Sequence, residues 1–433
     1  MKSSVWHPNT QMREWSSFDT ISKGKGIWLI DAKGNKIIDA VGSMWCNVWG
    51  HSNPQLVKAI TKQSKQIQHS SLFNLTNEPV ERLAKNLIKI SPGMNKVFYS
   101  DNGSSAMEIA IKMALQYWKN IGDTKKTQIA TIENGYHGDT FGAMSVGYVP
   151  EFFGKFKKQL FSTIQFPVPN EYRLPKGFSL SDYQNHCLEK IEKRFSKNND
   201  IAAFIMESGA QMAGGVIIYP KGFQKKISEL CKKYNILFVL DEIATGFGRL
   251  GSMVQYQDQK SIPDIVAYGK MLTGGYLTMA ATLANKKIYD SFSGEFNDWK
   301  HLFHGHTYTG NPIAAAVANE NLQMYEKYNL IKKVQKTSKI FEKYSQEILG
   351  IDIVGDVRHK GMLMGIELVS NKKRKTPIRT KKSINKVFFE EGKKQGIYLR
   401  TLGNIVMLVP PLSIQENELE LLLKKTIKTI QVA

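Results

Sequence analysis

The sequence has few cysteines and no long apolar segment, and these absences exclude two classes of protein. Its three cysteines, Cys46, Cys187 and Cys231, are odd in number and scattered, unlike a disulfide framework or a cysteine metal site. No apolar run approaches the roughly 18 residues that a membrane-spanning helix needs. The first residues lack the apolar core of a signal peptide. We therefore expect a protein of the reducing cytoplasm without a membrane partner.

Several catalytic signatures are also missing. The sequence has no G-x-S-x-G motif and no cysteine in an obvious catalytic setting, which disfavours serine and cysteine hydrolases. His301, His304 and His306 are close together, but no cysteine or carboxylate pattern accompanies them. We therefore expect no zinc site and no other bound metal.

Acidic residues are scarce relative to basic ones. The chain has 59 lysines and arginines against 38 acidic residues, a net charge of +21. Such a balance can indicate a nucleic acid or an acidic partner. The alternative, a lysine-rich composition spread over solvated faces, is favoured because the dense basic run at residues 372–375 has no interleaved aromatic residues for base stacking. We predict no nucleic-acid partner.

The length of 433 residues suits one large or two ordinary domains. The middle of the chain alternates short apolar runs with amphipathic helical patterns, which is typical of an α/β fold with a parallel sheet. After about residue 312, shorter apolar runs indicate a small sheet with flanking helices. The predicted division is an N-terminal segment at 1–52 that packs with the small domain, a large domain at 53–312 and a small α+β domain at 313–433.

Polar side chains follow three of the predicted buried strands. One apolar strand leads into Glu207, a second leads into Asp241, and a third is followed at once by Gly269 and Lys270. In open α/β sheets, ligands bind beyond the carboxyl ends of the strands. We therefore expect Glu207, Asp241 and Lys270 to point toward a common site.

Lys270 and Asp241 each allow two interpretations. Desolvation makes an amine a nucleophile for Schiff-base formation, which suits a lysine just beyond a buried strand; the alternative is a surface lysine in a flexible glycine loop. A carboxylate after five apolar residues needs a cationic partner, and a pyridinium nitrogen can be that partner. Protonation of this nitrogen turns the cofactor ring into an electron sink. The alternative for Asp241 is a helix N-cap.

Two further segments suit the phosphate and the ring of a cofactor. Gly103 and Ser104 open a predicted amphipathic helix, whose free N–H groups can bind a phosphate ester unless the pair merely caps the helix. Tyr136 lies in a glycine-flanked loop, where it can stack on a flat ring or pack into the core. Together these signals describe a ring base, a ring-nitrogen partner, a phosphate site and a stacking face.

At these residues the sequence resembles the class III aminotransferases. The match is carried by residues 241–249 with Lys270 following 29 positions after Asp241 (270 − 241). Similarity to the branch of this family that serves biotin biosynthesis is carried by residues 6–12, 113–118, 136–146 and 272–275. The resemblance covers nearly the whole chain. It implies a fold type I pyridoxal-phosphate transferase, with a mostly parallel sheet in a large domain and a smaller α+β domain.

The resemblance also implies a role for individual residues. It makes Lys270 and Asp241 the catalytic pair, with Lys270 bound to pyridoxal 5'-phosphate and Asp241 on the pyridinium nitrogen. The other residues that it implies for cofactor binding are Gly103, Ser104, Tyr136, Glu207, Ile243 and, from the neighbouring subunit of a homodimer, Thr307. Those that it implies for substrate binding are Trp45, Tyr136, Lys270 and Arg400, the last as a carboxylate clamp.

The implied reaction converts 8-amino-7-oxononanoate to 7,8-diaminononanoate, and its amino donor remains open. Asn9 and Cys46 depart from the family pattern at the donor pocket, and residues 304–311 are similar to a variant that uses lysine. Both adenosylmethionine and lysine therefore remain candidate donors. Two other functions also remain: a class III aminotransferase acting on ornithine, 4-aminobutyrate or a diamine, and a basic nucleic-acid-binding protein that kept the fold without the chemistry.

Overall fold

The computed structural model describes residues 3–433, which form two compact units. The larger unit comprises residues 54–335 and 360–362, and the smaller unit comprises residues 3–53, 336–359 and 363–433. The larger unit continues past the predicted boundary at residue 312 because the helix Pro312–Lys327 packs against two earlier helices of the same unit, Pro54–Ser64 and Glu78–Ile90.

A seven-stranded sheet forms the centre of the larger unit. In spatial order its strands are Lys96–Ser100, Ala280–Ala284, Ile265–Tyr268, Leu237–Asp241, Ile201–Glu207, Gln128–Ile132 and Ile164–Phe166. Six strands run in one direction, and Ala280–Ala284 is antiparallel to both of its neighbours. Every residue of the two central strands Ile201–Glu207 and Leu237–Asp241 is buried, as expected for parallel strands covered on both faces. The predicted α/β class with a mostly parallel sheet is confirmed.

Helices flank this sheet. The α-helices of the larger unit are Pro54–Ser64, Glu78–Ile90, Gly103–Asn120, Phe141–Val146, Pro150–Phe153, Leu180–Lys197, Phe223–Lys233, Gln255–Asp258, Lys286–Ser291, Pro312–Lys327 and Leu330–Thr337, whose last residues pass into the smaller unit. Short 3-10 helices occur at Gly154–Gln159, Glu171–Arg173, Lys270–Thr273 and Phe296–Asp298, and Ala210–Gln211 pairs with Ile217–Ile218. Among the described residues, no helix is both long enough and apolar enough to cross a membrane.

The smaller unit contains two sheets. One has the order Ile21–Lys25, Trp28–Asp31, Lys36–Asp39, Ile397–Tyr398, and the other has the order Val354–Lys360, Leu363–Asn371, Ile405–Leu408, Arg400–Leu402, with Thr376–Pro377 paired to Leu363–Asn371. A parallel pairing of Lys36–Asp39 with Ile397–Tyr398 joins the N-terminal strands to the C-terminal part of the chain. The helices of this unit are Met12–Glu14 (3-10), Lys339–Leu349, Ile384–Lys394 and Glu416–Val432.

A left-handed turn, Gly42–Trp45, follows the strand Lys36–Asp39. The φ angles of its four residues are 53°, 55°, 99° and 71° in chain order. The carbonyl oxygens of Val41 and Gly42 accept hydrogen bonds from the N–H groups of Trp45 and Cys46, at 2.9 and 3.1 Å. A left-handed helical conformation costs an L-residue roughly 1–2 kcal/mol and rarely extends over consecutive residues. The turn therefore stores strain that its surroundings must hold in place.

Candidate active site

The carboxyl ends of the central strands bring two acidic side chains together. Asp241 lies directly opposite Glu207 on one neighbouring strand and opposite Ala267 on the other. Each of the two carboxyl-bearing residues is only 4% exposed. Lys270 follows Ala267 by three residues, just beyond the end of that strand. The same edge of the sheet thus carries two buried acids and a lysine.

The carboxylate of Asp241 has a hydrogen-bond donor on each oxygen. Nδ1 of His137 lies 2.8 Å from Oδ2, and the N–H of Ile243 donates to Oδ1 at 2.9 Å. Gly147 packs closely against the imidazole of His137, because a Cβ added at Gly147 would lie only 3.0 Å from Cδ2 of the ring. The N-cap interpretation of Asp241 is wrong, because residues 243–250 form turns and no helix starts there. Asp241 is therefore a buried, oriented carboxylate.

Glu207 connects the sheet edge to the loop that carries Tyr136. Its Oε1 accepts a hydrogen bond from the N–H of Tyr136 at 3.2 Å, and its Oε2 accepts one from the N–H of Met212 at 2.9 Å. Burial raises the pKa of Glu207 to about 7; the nearby His137 opposes this rise, and the charge of Asp241 adds to it. The side chain is thus engaged with protein backbone on both of its oxygens.

Tyr136 is half-buried in that loop. Its ring stacks on Phe153 with centroids 6.1 Å apart, and its hydroxyl donates a 3.1 Å hydrogen bond to Asp139. Burial, with a further contribution from the charge of Asp139, raises the pKa of the phenol well above its usual value, so the hydroxyl stays protonated. Tyr136 therefore packs against the core on one side and remains partly accessible.

The helix Gly103–Asn120 begins at the same edge of the sheet. Asn102 caps it, because the Asn102 side chain accepts a hydrogen bond from the N–H of Ser105 at 3.0 Å. The interpretation of Gly103 and Ser104 as the cap is therefore wrong. Their own N–H groups lie in the first turn, where the helix offers no acceptor, and such a turn attracts anions. A Cβ at Gly103 would lie 2.8 Å from Cγ2 of Ile243, so the close approach requires glycine.

Glu108 links this helix to the Tyr136 loop, a contact that was not predicted from the sequence. Its Oε1 accepts three hydrogen bonds, from Thr140 Oγ1 at 2.5 Å, Gly142 N at 2.8 Å and Ala143 N at 3.1 Å. The N–H of Thr140 in turn donates to Oγ of Ser104 at 3.1 Å. The only signal in the sequence is the spacing of Ser104 and Glu108, four residues apart on one helix face.

Lys270 has a strained backbone. Its φ is 43°, in the left-handed region, and strain of this kind concentrates at functional sites. A Cβ at the preceding Gly269 would lie 3.2 Å from Cγ2 of Ile243, the side chain that also packs on Gly103. The side-chain amide of Asn321 donates to the carbonyl oxygens of Met271 and Leu272 at 2.8 and 3.0 Å. Ile243 thus lies between the helix start and the backbone that leads into Lys270.

These residues fit pyridoxal phosphate. The first turn of an 18-residue helix supplies an anion site for the phosphate. The buried and oriented carboxylate of Asp241 suits a protonated ring nitrogen, since a cation offsets the cost of burying its charge. Lys270 supplies the primary amine at the same edge.

The remaining predicted residues belong to other segments of the chain. Thr307 is exposed on the larger unit, and its carbonyl oxygen lies 2.7 Å from Nε2 of His69. Trp45 and Arg400 belong to the smaller unit. Trp45 is buried, and Nη1 of Arg400 donates to Sδ of Met44, the neighbour of Trp45, at 3.3 Å.

Known proteins are similar to this chain over nearly its whole length. The model of one family, aminotransferase class-III, matches residues 11–430. A curated relative, the adenosylmethionine-8-amino-7-oxononanoate aminotransferase of Staphylococcus aureus, is 43% identical, over 97% of this chain and 94% of its own length.

Solved structures give the same result. The adenosylmethionine-8-amino-7-oxononanoate aminotransferase of Methanocaldococcus jannaschii has a TM-score of 0.93 and 41% identity, covering 100% of this chain and 98% of that one. The omega transaminase of Pseudomonas jessenii in complex with PMP has a TM-score of 0.94 and 29% identity, covering 99% of this chain and 96% of that one. The predicted fold of a pyridoxal-phosphate transferase is confirmed.

Proposed function

Because the chain belongs to the class III aminotransferases, which depend on pyridoxal phosphate, we propose that it converts 8-amino-7-oxononanoate to 7,8-diaminononanoate in biotin biosynthesis. The observation that carries this proposal is the near full-length similarity, at 43% and 41% identity, to proteins named for that acceptor.

When bound, pyridoxal phosphate supplies the carbonyl that exchanges amino groups and a ring that withdraws electrons. Lys270 would bind the cofactor through its amine until the amino donor displaces it. The released amine would then accept a proton from the donor carbon and return it, as a general base and acid. Its position directly after a buried strand, at the edge that carries Asp241, supports this role.

Asp241 would face the ring nitrogen and keep it protonated, with His137 holding the carboxylate in place through the 2.8 Å hydrogen bond. The first-turn N–H groups of Gly103 and Ser104 would bind the phosphate. Tyr136 and Ile243 would pack on the two faces of the ring. Glu207 would position Tyr136 through the 3.2 Å bond to its backbone N–H.

Trp45 and Arg400 would contact the acceptor. The guanidinium of Arg400 matches a carboxylate, which it can bind with two parallel hydrogen bonds. For the donor we propose adenosylmethionine or lysine, and Asn9 and Cys46 are the residues whose chemistry would decide between them, because both differ from the family pattern.

We also propose a homodimer in the cytoplasm. The loop that carries Thr307 is flanked by exposed aromatic side chains, among them Trp299, Phe303 and Tyr308, which are 61%, 63% and 58% exposed. Exposed apolar clusters of this kind mark interaction surfaces, and Thr307 of a second copy would reach the phosphate there. The three cysteines are free thiols, in keeping with a reducing compartment. An active monomer in gel filtration would contradict the dimer.

The acceptor is tested by a competition between substrates. The holoenzyme is supplied with adenosylmethionine or lysine and, in parallel reactions, with 8-amino-7-oxononanoate or 2-oxoglutarate. The proposal predicts turnover of 8-amino-7-oxononanoate with one of the two donors. Turnover of 2-oxoglutarate alone would contradict the proposed acceptor and indicate another class III activity.

A further inference from the structure

We infer that Asp39 is a positioning residue for the acceptor: it holds the left-handed turn Gly42–Trp45 in the conformation that sets Met44 against Arg400 and fixes Trp45. This inference rests on the proposed function, because it takes Trp45 and Arg400 as contacts of 8-amino-7-oxononanoate. All of the contacts that carry it lie within the smaller unit.

Asp39 is a fully buried carboxylate at the end of a strand, and its hydrogen bonds go to the turn. Its Oδ1 accepts from the N–H of Val41 at 3.3 Å and from the N–H of Ser43 at 3.1 Å. Its Oδ2 accepts from Oγ of Ser43 at 2.8 Å. A buried charge needs several donors, and three of them here come from the turn or from the residue that precedes it.

His51 supplies a further contact and fixes the carboxylate. Its Nε2 lies 3.0 Å from Oδ2 of Asp39. The backbone of His51 exchanges two hydrogen bonds with Gly26, at 2.7 and 3.1 Å. A Cβ at Gly24 would lie 2.7 Å from Cβ of His51, so this imidazole is packed tightly against the neighbouring hairpin. The anchor of the turn is thus built into the sheet.

The other side of the turn is equally confined. A Cβ at Gly42, whose φ is 53°, would lie 2.7 Å from the carbonyl oxygen of Val409, so the turn sits directly on that backbone. The N–H of Val409 is bonded to the carbonyl oxygen of Ala40 at 2.7 Å. Because Ser43, Met44 and Trp45 also have positive φ angles, the turn would relax toward an ordinary conformation if its anchor were removed.

The turn presents Met44 to Arg400. Nη1 of Arg400 donates to Sδ of Met44 at 3.3 Å, while Nε of Arg400 is buried without a hydrogen-bond partner in the described part of the chain. A thioether is a weak acceptor, so the guanidinium is held in place yet keeps its capacity for a carboxylate. The buried carboxylate of Asp39 holds the turn in its strained conformation, and the turn holds the guanidinium of Arg400 through Met44. A fixed guanidinium of this kind is what a preorganised binding site requires.

The test uses the holoenzyme of wild type, D39N, S43A and D31N. In D39N an amide nitrogen replaces one acceptor oxygen, and in S43A the 2.8 Å bond is lost while Asp39 keeps its other contacts. We expect D39N to raise KM for 8-amino-7-oxononanoate about tenfold and S43A about threefold, with kcat and the Kd of pyridoxal phosphate within about twofold of wild type. A merely structural role would lower kcat and cofactor affinity as well.

D31N is the matched control, because Asp31 also holds a turn of the smaller unit through its carboxylate. Its Oδ1 accepts from the N–H groups of Lys33 and Asn35, both at 2.9 Å. This variant should keep the wild-type KM. A wild-type KM in folded S43A and D39N, or in S43A alone if D39N does not fold, would overturn the inference. Absence of turnover by the wild type would instead overturn the proposed function, and with it the inference.

Discussion

Nδ1 of His137 lies 2.8 Å from Oδ2 of Asp241, and both side chains are almost completely removed from solvent. A carboxylate only accepts hydrogen bonds, so Nδ1 of His137 donates to Oδ2 of Asp241. Each carboxylate oxygen has further capacity to accept, which a protonated ring nitrogen can use. The N–H of Ile243 completes the set of donors at 2.9 Å. The direction of the Asp241 carboxylate is thus fixed by groups of the protein itself.

Replacing His137 should impair the proposed chemistry without removing the acid. In H137F, Asp241 loses one of its donors, so its orientation toward a ring nitrogen is relaxed and kcat should fall about tenfold, equivalent to about 1.4 kcal/mol. In H137N the side-chain amide can still donate to the carboxylate, so kcat should fall by less than in H137F. Steady-state kinetics of both holoenzymes check this, and an H137F variant within twofold of the wild-type kcat would contradict it.

Removing the carboxylate of Glu108 should weaken cofactor binding. Oε1 alone accepts the bonds from Thr140, Gly142 and Ala143, which tie the Tyr136 loop to the helix that starts at Gly103. E108A should raise the Kd of pyridoxal phosphate about tenfold. Charge-assisted hydrogen bonds contribute about 1.5–3 kcal/mol each, and only part of the lost free energy should appear as weaker cofactor binding.

E108Q is the matched control for this change, because a single amide oxygen in the place of Oε1 can accept all three bonds. Titration of the apoenzymes with pyridoxal phosphate, followed by absorbance, measures the affinities. Equal Kd values for E108A and E108Q would show that the link between helix and loop has no part in cofactor binding.

The raised pKa of Glu207 predicts a pH dependence of stability. Burial moves this pKa from 4.5 to about 7. Between those values the folded chain holds a proton that the unfolded chain releases, so the free energy of unfolding falls as pH rises through this range. The loss from this group is at most about 3 kcal/mol.

The variant E207Q isolates this contribution, because it lacks the titrating group. Denaturant midpoints of both apoenzymes at about pH 5 and about pH 8 should show the wild type losing stability relative to E207Q as pH rises. A difference between the two proteins that stays constant with pH would mean that Glu207 titrates at its ordinary value in the folded chain.

The strand ends could be predicted from the sequence because long apolar runs stop abruptly at Glu207 and Asp241. Burial of both faces forces such runs into the centre of a parallel sheet, and the parallel direction brings their ends to one edge. The face of the helix Gly103–Asn120 followed in the same way from the spacing of its apolar residues, including Ala106 and Ile109, which are buried.

Other features depend on contacts that no local pattern encodes. His137 and Asp241 are 104 residues apart, so their hydrogen bond is set by the sheet order. Asn102 caps the helix, although Gly103 and Ser104 fit the local sequence pattern of an N-cap equally well. The left-handed turn contains Ser43 and Met44, which do not favour positive φ, so its conformation depends on contacts with Asp39 and with the backbone of Val409.

The most direct test of the proposed function concerns Lys270. Purified wild type and K270A are loaded with pyridoxal phosphate and mixed with adenosylmethionine or with lysine, and the absorbance of the cofactor is followed together with the formation of 7,8-diaminononanoate from 8-amino-7-oxononanoate. One donor should convert the wild-type cofactor to pyridoxamine phosphate and support product formation. K270A should lack the lysine-bound absorbance that borohydride abolishes and should form no product. Product formation by K270A at the wild-type rate would contradict the central claim that Lys270 binds the cofactor and carries the proton.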